Sequence, residues 1–399
     1  MKIAVILPPS VSSFQRVAGL PVIQRTALSA LRCGFDRVLV LGNEHAPRLR
    51  TLFGRDARTR GVEVADAVPA EDGAAVALIP SDRLVTAATL TRIATAHLDG
   101  RPLLFGAGGR EDIALCRGSM LSGVDLGAAS PEAAAAAWAA LRSRGAQAMP
   151  LEGELCLRID DAASARAAET ALCAQLRAAS AASDGPLAHW IDRRISLRIS
   201  GWLAAHTRVR PNQITVVGTC IGLLAAASLS VGTYWSGVAG TLLFLCATIL
   251  DGCDGEVARL TFYESAFGQK FDVITDNIVH VAIFVGLAIG LYHHDPNGPY
   301  LLLMALLLGG FACNAVLSYF LLVHRAGFAR QGPAPVTFKG KLRRKLLRAF
   351  EALMNRDFAY LLLGLALVDR LYWFLWATAF GTYLFALLLI WIYRWRNAA

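Results

Sequence analysis

Four aspartates in one short stretch, Asp251, Asp254, Asp272 and Asp276, are the residues of this 399-residue sequence best placed to do chemistry. The first pair is three residues apart and the second four, and on helices both spacings put the carboxylates on one face. They lie at the ends of long apolar runs, where charge is expensive and marks function. Four carboxylates gathered there repel unless cations sit between them. An all-oxygen site suits Mg²⁺ or Mn²⁺, and shared carboxylates can hold two such ions. Two ions clamping a phosphate are machinery for phosphoryl transfer. Gly255, Ala258 and Gly268 leave room for a ligand against helix backbone, and Arg259 adds a cation able to bind phosphate oxygens. The plainer alternative is a set of solvated helix-end charges, with Asp as a helix cap and Arg259 merely ion-paired. That serves for any one residue and not for the whole set in one contiguous stretch.

The elements that must carry these residues are membrane helices. Hydrophobic residues make up 55% of the sequence, and the excess is concentrated in its second half. Six spans can be drawn, Ile214–Val231, Gly237–Leu260, Ala266–Tyr292, Tyr300–Leu322, Phe358–Val368 and Leu371–Tyr393. The net charge of +9 owes much to a basic cluster between Arg325 and Arg356, which lies between two apolar runs. It reads as a cytoplasmic loop facing anionic headgroups, and no nucleic-acid-binding signature accompanies it. An even number of spans with this loop inside places the N-terminal domain and the C-terminus in the cytoplasm, at an inner cell membrane. Leu187–His206 gathers Trp190, Ile191, Ile195, Ile199, Trp202 and Leu203 on one side, the pattern of an amphipathic helix at the membrane interface.

Ahead of it, Lys2–Pro8, Arg37–Gly42, Ala74–Pro80 and Leu103–Gly106 read as strands. Helical stretches intervene at Pro21–Cys33, Thr86–Leu98, Pro131–Arg144 and Ala162–Ala178. That alternation predicts a doubly wound, mostly parallel α/β domain. The expected divisions are 1–183 for this domain, 184–210 for a linker and the interfacial helix, and 211–399 for an all-α transmembrane domain of six helices. The eight cysteines show no CxxC spacing, which speaks against a disulfide framework or a zinc site.

The stretch from Asp251 to Asp276 has the form D-x2-D-G-x2-A-R-x8-G-x3-D-x3-D. It resembles the signature of the CDP-alcohol phosphatidyltransferase family, with every fixed position filled, and the resemblance covers about residues 184–395. A Pro-Asn-x-Ile-Thr sequence, Pro211–Thr215, belongs to the same pattern. The resemblance implies a homodimeric enzyme of six membrane helices, taking a CDP-alcohol donor and a polar or lipid alcohol acceptor and releasing CMP. It implies Asp251, Asp254 and Asp272 as metal ligands, with Asp276 close to the second ion and acting as the general base on the acceptor hydroxyl. Asn212, Thr215, Asp251, Gly255, Ala258, Arg259 and Gly268 would contact the cytidine nucleotide and its phosphates. Lys339, Lys341 and Arg356 are candidates for the acceptor's phosphate, or else lipid-facing charges.

The opening resembles a second family, the sugar-phosphate nucleotidyltransferases, a Rossmann-like fold, through Val17–Arg25, Cys33–Gly42 and Pro80-Ser81-Asp82. The segment Ile159-Asp160-Asp161 to Ala168-Glu169 continues that likeness, with Arg158 where the family carries an aspartate. After Leu7, however, the chain reads PPSVSSFQ, without the glycines, arginine and lysine that would cradle a triphosphate. The domain is therefore expected to be inactive. Fusions of inositol-1-phosphate cytidylyltransferase with a synthase using CDP-inositol have this arrangement, and Asn355–Phe358 and Asp184-Gly185…Arg193…Ser196 resemble that subgroup. A bifunctional enzyme making its own donor is the alternative within this class. A cation carrier or non-catalytic scaffold is the alternative outside it, though a carrier places such groups at mid-membrane on separate repeats.

Overall fold

Strands rich in Val, Ile and Leu with no polar face must be covered on both sides. In the computed structural model, which describes residues 1–68, 73–106, 110–180, 187–328 and 358–397, they are. Strand β1 (Lys2–Ile6) lies in the interior of a seven-stranded sheet. The short hairpin β2 (Arg16–Val17) and β3 (Leu20–Pro21) follows it. β4 (Arg37–Leu41) pairs parallel with β1, and β5 (Val62–Ala65) with β4. On the other side β6 (Ala75–Ile79) is parallel to β1, with Ile3 opposite Val76. β7 (Arg83–Val85) leaves the sheet. β8 (Leu103–Gly106), β9 (Ile113–Arg117) and β10 (Gln147–Pro150) complete it in the order β10-β8-β9-β6-β1-β4-β5. β9 runs antiparallel to both its neighbours, so the sheet is mixed. β11 (Cys156–Arg158) pairs with β7 in a separate ribbon.

The side chains alternate with the pleat. Ala4, Ile6, Val38, Val40, Ala77 and Ile79 face α1 (Val22–Leu31), α2 (Ala46–Gly54) and α3 (Ala87–Thr95). Ile3, Val5, Leu39, Leu41, Val76 and Leu78 face the other way, onto Ala133, Ala137, Trp138 and Leu141 of α4 (Ser130–Ser143). Of the seven-stranded sheet, sequence reading finds β1, β4, β6 and β8 and misses β5, β9 and β10; it also misses the short ribbon strands β2, β3, β7 and β11. β5 and β10 are the two edges, short and half-exposed, so their sequences carry polar residues that blur the pattern. All eight cysteines are free, and burial pushes the Cys116 and Cys156 thiols up to about 12.

Helix α5 (Ala162–Ser180) follows, and the linker residues 181–186 fall outside the described ones. The expected interfacial helix starts as a π-turn, Ala188–Asp192, and continues as α6 (Arg193–His206). Its apolar residues Trp190, Ile191, Ile195 and Trp202 are exposed, while Asp192, Arg193, Ser196 and Ser200 are buried. That inversion suits a helix with lipid on its outer side and polar partners within.

α7 (Pro211–Ser230), α8 (Tyr234–Thr261), α9 (Ala266–His294) and the stretch Tyr300–Leu317 of α10 (Tyr300–Phe328) are long and apolar enough to cross a membrane. α11 (Phe358–Leu367) and Leu371–Leu387 of α12 (Leu371–Asn397) are shorter apolar helices. The basic loop, with Lys339, Lys341 and Arg356, lies outside the described residues. The described chain divides into two compact units. One comprises Met1–Leu176 with Gly201–Arg208 and Leu260–Phe262. The other comprises Arg177–Ser200, Val209–Arg259 and the residues from Tyr263 on.

In the second unit α7 and α9 approach to backbone contact. A Cβ on Gly286 would lie 2.2 Å from the Ala226 carbonyl oxygen, and one on Gly290 2.0 Å from that of Leu229. Small residues at such crossings let helices without a hydrophobic driving force pack by contact alone. Phe284, Leu287, Leu303, Leu362, Phe374 and Leu375 join α9 to α10, α11 and α12 in one apolar core.

Candidate active site and metal centre

α8 and α9 form a helical hairpin that folds the aspartate motif back on itself. α8 stops because Phe262 turns left-handed, at φ 59°, and the Tyr263 amide donates to the Ala258 carbonyl at 2.9 Å. α9 restarts on Ser265, whose Oγ accepts from the Gly268 amide at 3.0 Å. Asp251 and Asp254 near the end of α8 thereby meet Asp272 near the start of α9. Carboxylate oxygens of these three all lie within 4.8 Å of one another.

Three carboxylates so close are costly without a counter-charge. Each ionised pair at that separation repels by at least about 3 kcal/mol at an effective dielectric of 20. Asp254 is only 6% exposed, and Asp272 Oδ1 is buried with no hydrogen-bond donor on it among the described residues. An orphaned anionic oxygen aimed at two other carboxylates is the donor set of a hard divalent cation. The residues present therefore fit the metal that the motif implies. Thr215 Oγ1 donates to Asp254 Oδ2, fixing that carboxylate from α7. Thr215 is expected from the sequence to touch nucleotide, and here its hydroxyl is given to Asp254.

Asp276 is outside the three-carboxylate cluster and beside it. With Asp251, Asp272 and Thr215 it lines a cavity of about 260 Å³ among α7, α8, α9 and α11. The cavity continues along α9 past Thr275 to His280, and its far end carries Thr219, Thr248, Phe244 and Phe358. His280 Nδ1 donates to the Asp276 carbonyl at 2.7 Å. Sequence reading misses Thr219, Thr248 and His280. Helical period could have found them, since Thr219 and His280 are each one turn beyond a motif residue and Thr248 one turn before Asp251.

Asn212, Gly255, Ala258, Arg259 and Gly268 do not line this cavity. Asn212 and Gly268 meet at the starts of α7 and α9, where a Cβ on Gly268 would lie 3.2 Å from Asn212 Oδ1. Arg259 is exposed, with its guanidinium 3.5 Å from where a Gly255 Cβ would be. The motif also holds a buried anion that sequence reading passes over. Glu256, 1% exposed, accepts from Arg193 Nη1 at 2.8 Å, Ser196 Oγ at 2.7 Å and Ser200 Oγ at 2.8 Å. These polar residues are the inner side of α6.

In the first unit, the acidic residues of the nucleotidyltransferase-like pattern are engaged with their own chain. Asp82 accepts from Ser130 Oγ at 3.3 Å and lies 3.6 Å from Arg158 Nε, which also binds Asp160 at 2.7 Å. Asp161 caps α5 through Ser164, and Glu169 accepts from the Ala18 amide at 2.6 Å.

Residues 208–384 match the model of the CDP-alcohol phosphatidyltransferase family, so the C-terminal part of the chain is a CDP-alcohol phosphatidyltransferase domain. Among curated relatives, a bifunctional IPC transferase and DIPP synthase of Archaeoglobus fulgidus is 35% identical over 129 residues, 32% of this chain and 25% of that protein. The archaetidylinositol phosphate synthase of Pyrococcus horikoshii is 34% identical over 90 residues, 23% of this chain and 46% of that protein. The matches thus span a quarter to a half of these relatives' lengths. A crystal structure of Mycobacterium tuberculosis phosphatidylinositol phosphate synthase with CDP-DAG bound covers 49% of this chain and 92% of that one, at TM-score 0.32 and 20% identity.

Proposed function

We propose that the protein is a membrane CDP-alcohol phosphotransferase, moving a phospho-alcohol group from a CDP-alcohol to an acceptor hydroxyl with release of CMP. The carrying observation is the meeting of Asp251, Asp254 and Asp272 beside Asp276 in one polar cavity, inside the stretch that matches the family. Asp251, Asp254 and Asp272 would hold Mg²⁺ or Mn²⁺, as two ions. Bound there, such ions supply charge neutralisation for the donor's pyrophosphate and for the departing CMP. Asp276, within the same cavity and outside the cluster, takes the proton of the acceptor hydroxyl. That oxygen bonds to the phosphorus on the alcohol side of the pyrophosphate, and the bond from phosphorus to the bridging oxygen breaks. Asn212, Gly255, Ala258, Arg259 and Gly268 would receive the cytidine nucleotide. Inositol-type substrates are favoured by the named relatives. The basic loop supports six spans, with both termini at the cytoplasmic face of an inner membrane, and the motif's resemblance carries a homodimer. The N-terminal region would be a Rossmann-like, nucleotidyltransferase-like domain that no longer transfers nucleotides.

The test is CMP release by purified protein in detergent with Mg²⁺ or Mn²⁺. CDP-inositol and CDP-diacylglycerol would be offered separately, each with inositol phosphate or glycerol phosphate. One donor is expected to yield CMP, and Asp276→Asn to lower the rate about 10²- to 10⁴-fold, the range of general-base catalysis. An Asp276→Asn variant as fast as wild type would remove the base from this account.

A further inference from the structure

Helix α6 turns its apolar side outward, and arginines gather at its start. Trp190, Ile191 and Ile195 are exposed, Trp190 by 61%. Arg194 and Arg198, one turn apart on α6, are exposed too and neighbour Ile191 and Ile195 at helical spacing. Arg177, near the end of α5 and part of the same compact unit, joins them at Trp190. Its guanidinium carbon is 5.9 Å from the centroid of that ring, and the one of Arg194 is 5.4 Å from it. At these distances the aromatic face attracts both cations, so one ring gathers two guanidinium groups at the border of an apolar surface.

The chain supplies these cations with little to bind. Arg193 is spent on Glu256, and Asp192 is buried and accepts from Tyr360 Oη. Among the described residues no carboxylate pairs with Arg177, Arg194 or Arg198. Arg177 Nε is also buried, with no hydrogen-bond acceptor among the described residues. A guanidinium only donates, and a buried donor costs stability until an acceptor reaches it. Phosphate oxygens match such groups, which bind them through parallel N–H bonds. The exposed apolar residues beside the arginines suit hydrocarbon, and α7, long and apolar enough to cross a membrane, begins just after α6. A soluble phosphate uses the cations alone, whereas an anionic lipid uses both features.

We propose that Arg177, Trp190, Arg194 and Arg198 form a binding site for the phosphodiester headgroup of an anionic phospholipid. Arg177 and Arg194 take the phosphate oxygens, Arg198 adds charge one turn along, and the acyl chains lie along Ile191 and Ile195. None of the four residues lines the cavity of the aspartate motif, so this lipid is distinct from donor and acceptor.

The test titrates full-length, detergent-solubilised protein with phosphatidylglycerol or phosphatidylcholine and reads bound lipid by native mass spectrometry. It does not depend on CMP release, so it stands apart from the phosphotransferase reading. Wild type is expected to bind a first phosphatidylglycerol more tightly than phosphatidylcholine. Arg177→Gln and Arg194→Gln are each expected to weaken the phosphatidylglycerol complex about fivefold, and together about 25-fold, with phosphatidylcholine unchanged. Arg194 is exposed, so Arg194→Gln keeps the fold and decides the matter even where Arg177→Gln unfolds. Arg370→Gln removes the same charge at the turn between α11 and α12 and is expected to bind like wild type. Equal binding of the two lipids, wild-type affinity in Arg194→Gln, or an equal loss in Arg370→Gln would overturn the site. Displacement of phosphatidylglycerol by millimolar inorganic phosphate would overturn the lipid as its occupant. A tighter complex in Asp184→Asn would show that the linker already supplies an acceptor to Arg177, and would overturn the site too.

Discussion

At the scale of single residues, the site is organised by how each carboxylate is held. Asp254 is buried and bonded by Thr215, whereas Asp272 has a buried oxygen with no hydrogen-bond donor among the described residues. Removing a partner that orients a metal ligand costs metal affinity without removing the ligand. Thr215→Val is therefore expected to weaken Mn²⁺ binding about 10- to 100-fold with the helices intact, as read by titration calorimetry on detergent-solubilised protein. Unchanged Mn²⁺ affinity would return Thr215 to a nucleotide contact. The aspartates themselves were legible in the sequence because spacing alone puts 251 with 254 and 272 with 276 on common faces. The partnership of Thr215 with Asp254 was not, since it joins residues from helices far apart in sequence, and only packing sets that register.

At the scale of elements, the aspartates are only as well placed as the helices bearing them. α9 is fixed against α7 by backbone contact at Gly286 and Gly290, and α8 is fixed against the start of α6 by Glu256. Arg193, Ser196 and Ser200 all donate to this one carboxylate, in a place where apolar residues of α6 point outward. Breaking a buried pair from one side costs about 3 to 5 kcal/mol, because a charge is left without its counterpart. Glu256→Ala is expected to lower thermal stability in detergent accordingly, and Glu256→Gln, which keeps acceptor capacity for the serines, to lower it less. Equal melting temperatures for wild type and Glu256→Ala would show the clamp to be idle. The amphipathic character of residues 187–206 was readable from Trp and Ile positions. Its sense was not, because a sequence shows two faces and says nothing of which one meets lipid. Glu256 is not distinguishable in the sequence for a related reason: inside a motif of candidate site acids, a structural one looks the same.

At the scale of the whole molecule, the first unit carries a sheet that sequence alternation anticipates around β1, β4, β6 and β8 and loses at its edges β5 and β10 and at the interior antiparallel strand β9. Its chemistry turns on the loop after β1. There the Ser13 amide donates to the Ser10 carbonyl at 3.1 Å, the Gln15 amide to the Ser12 carbonyl at 3.0 Å, and the Ser10 amide to Ser13 Oγ at 3.0 Å. Amides spent on their own loop are not offered to phosphate oxygens, and no glycine lets the backbone turn them outward. Beside this loop, Asp82 is buried against Ser130 and 3.6 Å from Arg158 Nε, so a cation of the chain already faces this carboxylate. On the proposed reading of this region, a unit built this way would bind a triphosphate poorly and lack the means to activate it. Full-length protein given CTP, inositol 1-phosphate and Mg²⁺ is therefore expected to release no pyrophosphate above the uncatalysed rate, while the same preparation releases CMP from its CDP-alcohol. Pyrophosphate release that is abolished by Asp82→Asn would establish a second, donor-making activity in this chain. Its absence means that the donor arrives already made, from a separate reaction that joins CTP to an alcohol phosphate.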